Sequence, residues 1–280
     1  TITILVEFSD ITATHTVSYF DDLIFTQMNS YFVEVSYGST QIIGSFTPQW
    51  NHLTQPSTNY QVNNWGSSWS EYRRLASDVV ALVDPIVNFA FYEHCVMVFG
   101  GDYVWGAWAS GLNIVADGVI IDTATFQKET YGLPVFAHEF GHELGLPDLY
   151  DYDSLDPYDF VDGWDLMSIQ NCQHLSSWSK ISLGWIQGAN IMTFTGDTAT
   201  VTIDRIEYST TGYHAVKVPI SMFVYVLVET RQKVGYDANL PSNAPDHGVL
   251  ITRIDETKSS GDGIVRLVDA NPATQSGWDG

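Results

Sequence analysis

Basic residues are scarce in this 280-residue sequence: Lys and Arg number 11 together against 33 acids, a formal net charge of −22. Such a chain repels nucleic acid and anionic lipid, so neither is expected as a partner. The acidic balance suits calcium, a salty or acidic habitat, or simple solubility. Long apolar runs are missing as well. No segment reaches 18 uninterrupted apolar residues, and the longest apolar region, 79–99, is broken by Asp84, Pro85, Asn88, Glu93 and His94. No membrane span is expected. Cysteine is limited to Cys95 and Cys172, which permits at most one internal disulfide and offers no C-x-x-C pair. Two readings stand for them: a bridge tying the loop after Met167 to the apolar run at 96–99, or two buried free thiols. With 45% apolar residues and 22 glycines the remainder is globular in composition. Its length suits one large domain, or a medium domain with a smaller one.

Against these absences one stretch stands out, Val135 to Asp151, VFAHEFGHELGLPDLYD. His138, Glu139, His142, Gly145 and Asp148 within it form H-E-x-x-H-x-x-G-x-x-D. On a helix, His138 and His142 project from one face and can hold one metal ion. Glu139 sits beside the first of them, where a carboxylate can take a proton from a metal-bound water without being a ligand. Gly145 lets the helix stop and the chain turn sharply, and Pro147 prevents a restart. Asp148 is then the best candidate for the third zinc ligand, and an open fourth position would hold water. By composition alone H-E-x-x-H arises in roughly one such sequence in a hundred, and the full motif in roughly one in twenty thousand.

HEFGHELGLPDLYD, followed by GWDLMS at 163–168 and WSKISLGW at 178–185, resembles the immune inhibitor A-type family of secreted metallopeptidases in the metzincin clan. Softer similarity extends to YFVEVSYGS (31–39), DYVWGAW (102–108), the DGV of 117–119 and YVLVETRQKVG (225–235). The resemblance implies zinc held by His138, His142 and Asp148, with Glu139 as general base and Met167 in the Met-turn beneath the metal. It also implies a secreted protein acting on proteins or peptides. The chain opens at Thr1 inside a strand-like run, which reads as a mature or trimmed form with a pro-segment upstream in the precursor.

The expected architecture is an α/β (α+β) metzincin-like catalytic domain over 1–187, with a mixed twisted sheet and an active-site helix. A smaller, sandwich-like antiparallel β domain follows over 188–280. Strands are expected at Ile2–Phe8, Gln41–Trp50 and Cys95–Phe99, the last apolar throughout. Helices are expected over Tyr19–Tyr37, Ser70–Asp84, Gly132–Leu144 and Leu175–Trp185. The family resemblance makes Asn113–Ile121 the edge strand along which substrate lies. Past Gly188, strands are expected at Ala199–Ile206, Tyr213–Val218, Tyr225–Thr230 and Val249–Ile254.

Seven aspartates fall between Asp148 and Asp165. That density suits a calcium site, with Asp151, Asp153, Asp156 and Asp159 as ligands, or a solvated acidic loop. The nine tryptophans and fifteen tyrosines, among them Trp50, Tyr60, Trp65 and Trp69, support a second functional reading. In it the chain is a secreted glycan- or surface-binding module with a latent metal site. Such a module has no use for an aligned metal, base and Met-turn, so zinc endopeptidase is the preferred expectation.

Overall fold

The computed structural model describes residues 1–64, 66–153, 160–240 and 244–268. The chain divides into two compact units, one of Thr1–Ser30 with Ile42–Glu143, the other of Tyr31–Gln41 with Leu144–Gly280.

The first unit is built on a sheet in the order β2-β1-β4-β8-β5, with β3 also paired to β1. Its strands are β1 (Ile2–Glu7), β2 (Ser45–Phe46), β3 (Asn51–His52), β4 (Cys95–Phe99), β5 (Ala107–Ala109) and β8 (Ala124–Lys128). The pairs β1–β4 and β4–β8 are parallel, whereas β5 runs antiparallel to β8 at the sheet edge. Every residue of β1 and β4 is buried, as parallel strands covered on both faces require. The period of two in Ile2–Glu7 therefore separates two covered faces, and Thr3 and Glu7 are buried with the rest. On one face Ile4, Val6, Met97, Phe99 and Phe126 join Tyr72, Leu75, Val79 and Val83 in a single core. The last four come from α3 (Trp69–Val83), whose N-cap is Ser68, its hydroxyl accepting from Ser70 N.

Between β1 and β2 the chain forms α1 (Val17–Asp21), a π-helical stretch at Asp22–Met28, and α2 (Asn29–Val35). Gly38, at φ +78°, lies just beyond it. Helix α4 (Leu133–Glu143) packs against β5, β8 and the π-helical stretch.

Two expectations need correction here. Gln41–Trp50 is not one strand: only Ser45–Phe46 and, further on, Asn51–His52 pair with β1, and Pro48 between them has no N–H for a ladder. Asn113–Ile121 is not the edge of the main sheet but a separate hairpin of β6 (Ile114–Ala116) and β7 (Val119–Ile121). Asp117 and Gly118 turn it at φ +49° and +78°, the Asp-Gly chemistry of a two-residue hairpin loop. The edge belongs to β5.

The second unit carries a five-stranded sheet, β13-β12-β11-β10-β9. Its members are β9 (Ile191–Thr193), β10 (Ala215–Pro219), β11 (Val224–Gln232), β12 (His247–Asp255) and β13 (Val265–Leu267). All its pairings are antiparallel except β9 with β10. Ala199–Ile206 forms no strand: its β-type pairing is limited to the isolated bridges Ile203–Tyr213 and Arg205–Thr230. Asp204, accepting from the Thr210 hydroxyl, turns the chain away there. Helix α5 (Ser177–Ser182) is shorter than Leu175–Trp185 because Ser176 caps it, accepting from Ser179 N. Among the described residues no helix is long and apolar enough to cross a membrane.

The loop before α1 is tied to the first sheet by two buried carboxylates, Glu7, which accepts from Ala13 N at 2.7 Å, and Glu129. Glu129, 1% exposed, accepts from Thr14 N, His15 N and Gly101 N. Burial alone would raise its pKa, but the hydrogen bonds from His15, Gly101 and Thr14 outweigh it and hold the pKa below the ordinary 4.5. A depressed carboxylate contributes stability above the unfolded-state pKa and loses it as pH falls through the folded value. Glu129→Gln should therefore lower stability at pH 7 by about 1–3 kcal/mol and flatten the loss of stability below about pH 4.5. Urea unfolding at pH 7 and across the acid limb measures both effects.

Candidate metal centre

Helix α4 begins at Leu133-Pro134, where proline suits a first turn. Its buried face is aromatic: Phe136 lies 6.2 Å from Phe20, and Phe140 5.3 Å from the His94 ring. Its last residue, Glu143, accepts from the Thr123 hydroxyl at 2.9 Å and lies 3.2 Å from His94 Nδ1. The helix is thus held at its buried face and at its end. His138 and His142 stand one turn apart with ring centroids 4.9 Å apart and planes at 88°. Trp108 of β5 lies 5.8 Å from the His142 ring.

The helix stops at Gly145, φ +101°. Nothing lies within 4 Å of the point where its Cβ would be, so glycine is needed there for conformation, not for space. Three residues on, Asp148 returns. One ligand atom from each of His138, His142 and Asp148 lies within 4.8 Å of the other two. These three residues fall within eleven consecutive positions, so their approach is local chain geometry. Two imidazoles and a carboxylate are a donor set that fits zinc, with a coordination position left for water. Glu139 is buried, 7% exposed, on the same helix.

The segment Trp164–Ser168 is fixed from several sides. Asp165, fully buried, accepts from Met167 N at 2.8 Å through Oδ1, and through Oδ2 from Ser176 N at 2.8 Å and the Ser179 hydroxyl at 2.7 Å. The carbonyl of Met167, itself fully buried, accepts from Leu149 N at 2.9 Å. That bond joins the turn to the residue after Asp148. Arg231, on the inward row of β11, donates to the Trp164 carbonyl at 3.0 Å, the His174 carbonyl at 3.3 Å, Glu229 Oε1 at 3.0 Å and both oxygens of Asp237 at 2.8 and 2.9 Å. Burial opposes its charge, but Asp237, Glu229 and Glu207 outweigh that and hold the guanidinium protonated.

Lys180 is also fully buried, within 3.1 Å of the Tyr37 hydroxyl and the Ile206 carbonyl and 3.0 Å from His174 Nδ1. Burial and the nearby Arg231 push its pKa down to about 7. His174 is fully buried between Lys180 and Glu34. Burial, then Lys180 and Arg231, lower its pKa well below the ordinary range.

Of the aspartates considered for calcium, Asp156 and Asp159 lie outside the described residues, and Asp151 accepts from Asp153 N. Among the described residues, His138, His142 and Asp148 are the only group of three or more potential ligands. Cys95 and Cys172 are buried free thiols, not a bridge, and burial raises the pKa of both, that of Cys172 to about 12. Of the aromatics suggested for sugar stacking, Tyr60 is fully buried, Trp69 is 61% exposed, and Trp65 lies outside the described residues. Nothing in the sequence pattern marked Arg231, whose partners at 164 and 174 are remote along the chain.

Two imidazoles from one helix and a carboxylate from the loop after it are a donor set of the kind metallopeptidases use. Residues 84–206 match the family model described as immune inhibitor A peptidase M6, catalytic domain, so that stretch is similar to a metallopeptidase catalytic domain. No curated protein matches the sequence. A solved structure described as a chaperone–substrate complex is similar over 64% of this chain, at 15% identity and a TM-score of 0.32. This chain spans 29% of the length of that one.

Two substitutions probe this frame. Gly145→Ala, which forces a side chain into φ +101°, should cost about 1–2 kcal/mol in chemical unfolding and weaken zinc uptake. Arg231→Leu leaves Asp237 and Glu229 buried without their cation and should destabilise by about 3–5 kcal/mol, read from the urea midpoint.

Proposed function

We propose that the protein is a zinc-dependent endopeptidase acting outside the cell. The observation that carries this reading is the convergence of His138, His142 and Asp148 within 4.8 Å, on and just beyond the helix that presents Glu139. The extracellular setting is supported by the family resemblance and by the chain's acidic, lysine-poor composition.

When bound, zinc would supply a Lewis acid that polarises the scissile carbonyl and acidifies a water molecule. The chain's own contribution is geometric and acid–base. His138, His142 and Asp148 would hold the ion. Glu139 accepts the proton of the attacking water and delivers it to the leaving amine. Its burial keeps bulk water from competing for that proton. Met167 underlies the site as the Met-turn methionine, held by Asp165 and bonded through its carbonyl to Leu149. An extended peptide would pair with the edge strand β5, whose Trp108 stands beside His142. A calcium ion among the aspartates of 151–159 would stiffen the loop that delivers Asp148.

Casein cleavage should be abolished by 1,10-phenanthroline and restored by zinc, with about one zinc per chain on metal analysis. Glu139→Gln should retain the metal and lose activity by about 100-fold or more, whereas His138→Ala should lose both. Undiminished cleavage in the chelator, or no zinc uptake on adding metal back, would sink the proposal.

A further inference from the structure

Asp148 is the one donor of the site that lies off the helix, so its position rests on whatever holds the loop after Gly145. Within the second unit that loop is gripped by the turn between β12 and β13, more than a hundred residues downstream. Asp148 N donates to Ser260 Oγ at 3.0 Å, and the Tyr152 hydroxyl donates to Asp148 Oδ2 at 2.5 Å. The Tyr152 and Ser260 hydroxyls are 3.0 Å apart. The backbones also pair in both directions: Gly261 N donates to the Asp148 carbonyl and Tyr152 N to the Gly261 carbonyl, each at 3.3 Å. Gly261 sits at φ +77°, and a Cβ there would fall 2.3 Å from Cγ and Cδ2 of the Tyr152 ring. The glycine is thus required both for its conformation and for its closeness to that ring.

The gripping turn is itself braced. Asp255 N donates to the Ile264 carbonyl at 2.8 Å across its base, Lys258 N to the Asp255 carbonyl at 3.1 Å, and Asp262 N to the Ser259 carbonyl at 3.0 Å. Asp255 also accepts from Thr257 N and its hydroxyl. A turn closed at so many points carries Ser260 and Gly261 as fixed groups, against which Asp148 and Tyr152 are held.

We propose that Tyr152, Ser260 and Gly261 are positioning residues for the metal centre: they clasp the third ligand, so that the turn between β12 and β13 is part of the zinc site. This rests on the reading of Asp148 as a ligand. A hydroxyl donating to a ligating carboxylate fixes its orientation and limits the positions it samples, and loss of such outer partners typically costs 10–100-fold in metal affinity. Tyr152 touches neither substrate nor metal in this scheme.

The test is zinc affinity of the full chain, measured by competition with a chelator of known affinity, together with the melting temperature of the metal-free protein. The set is wild type, Tyr152→Phe, Gly261→Ala, Asp148→Ala and, as a control on the same turn, Lys258→Ala. Tyr152→Phe and Gly261→Ala should weaken zinc binding by about 10–100-fold, with Lys258→Ala at the wild-type value. Activity of Tyr152→Phe should recover at saturating zinc, and its metal-free melting temperature should match wild type, separating lost positioning from lost folding. Tyr152→Phe removes a single oxygen and keeps the test decisive if Gly261→Ala folds poorly. Wild-type zinc affinity in Tyr152→Phe, with binding lost in Asp148→Ala, overturns the clasp and leaves the ligand assignment standing. Wild-type affinity in Asp148→Ala overturns the ligand assignment itself.

Discussion

The site depends on a left-handed residue one turn past the second histidine. Helix geometry aligns His138 and His142, but it cannot supply a third donor from the same face without running the ion along the axis. The chain has to leave the helix and come back within a few residues. Gly145, at φ +101° with open space around its missing side chain, makes that return possible at low conformational cost. Pro147 keeps the helix from resuming. Everything else around the centre secures one side or the other of this turn: aromatic packing and the buried Glu143 before it, hydrogen bonds to Asp148 and Leu149 after it.

The second unit uses an unusual quantity of buried charge for that purpose. The inward row of β11 reads Tyr225, Leu227, Glu229, Arg231, apolar at one end and ionic at the other. Hydrophobic residues of similar volume would serve stability as well or better, since desolvating two ions commonly cancels their attraction. What an apolar row cannot do is bind carbonyl groups. Arg231 holds the carbonyls of Trp164 and His174, one on each side of Met167. The ionic row is therefore read as fixing a backbone path.

The sequence made the centre and part of the fold legible, for separate physical reasons. The grouping of His138, His142 and Asp148 was readable because donors to one ion require fixed spacing within one turn and one loop. β4 was readable because a strand covered on both faces must be apolar throughout. The edge strand was not: Ala107–Ala109 is three residues of weak β propensity, while the nearby Asn113–Ile121 is longer, β-branched and more strand-like. Its Asp117-Gly118 step, with both residues at positive φ, is in the structure the turn of a hairpin of its own. The π-helical stretch at Asp22–Met28 shares the apolar periodicity of an ordinary helix, and Ala199–Ile206 has strand composition without a partner to complete a ladder. The frame around the metal was least legible. Its contacts join residues such as Trp164 with Arg231 and Asp148 with Ser260, and no local pattern encodes a pairing so distant along the chain.

The described aspartates between 148 and 165 act singly. Their density reads as one acidic site, yet the described members have different local tasks. Asp148 joins the histidines, Asp151 turns its own backbone, and Asp165 holds the Met167 turn and the start of α5. The same distinction applies to the β strands that follow. The matched family stretch ends at residue 206, but the groups that brace the Met167 turn and Asp148 come from β11 and from the turn after β12. A metal centre needs its ligands held to a fraction of an ångström, and a loop cannot do that alone. Arg231 of β11 and Ser260 of the turn after β12 are thus continuous in purpose with the Met167 turn and the Asp148 loop, although distant from them in sequence.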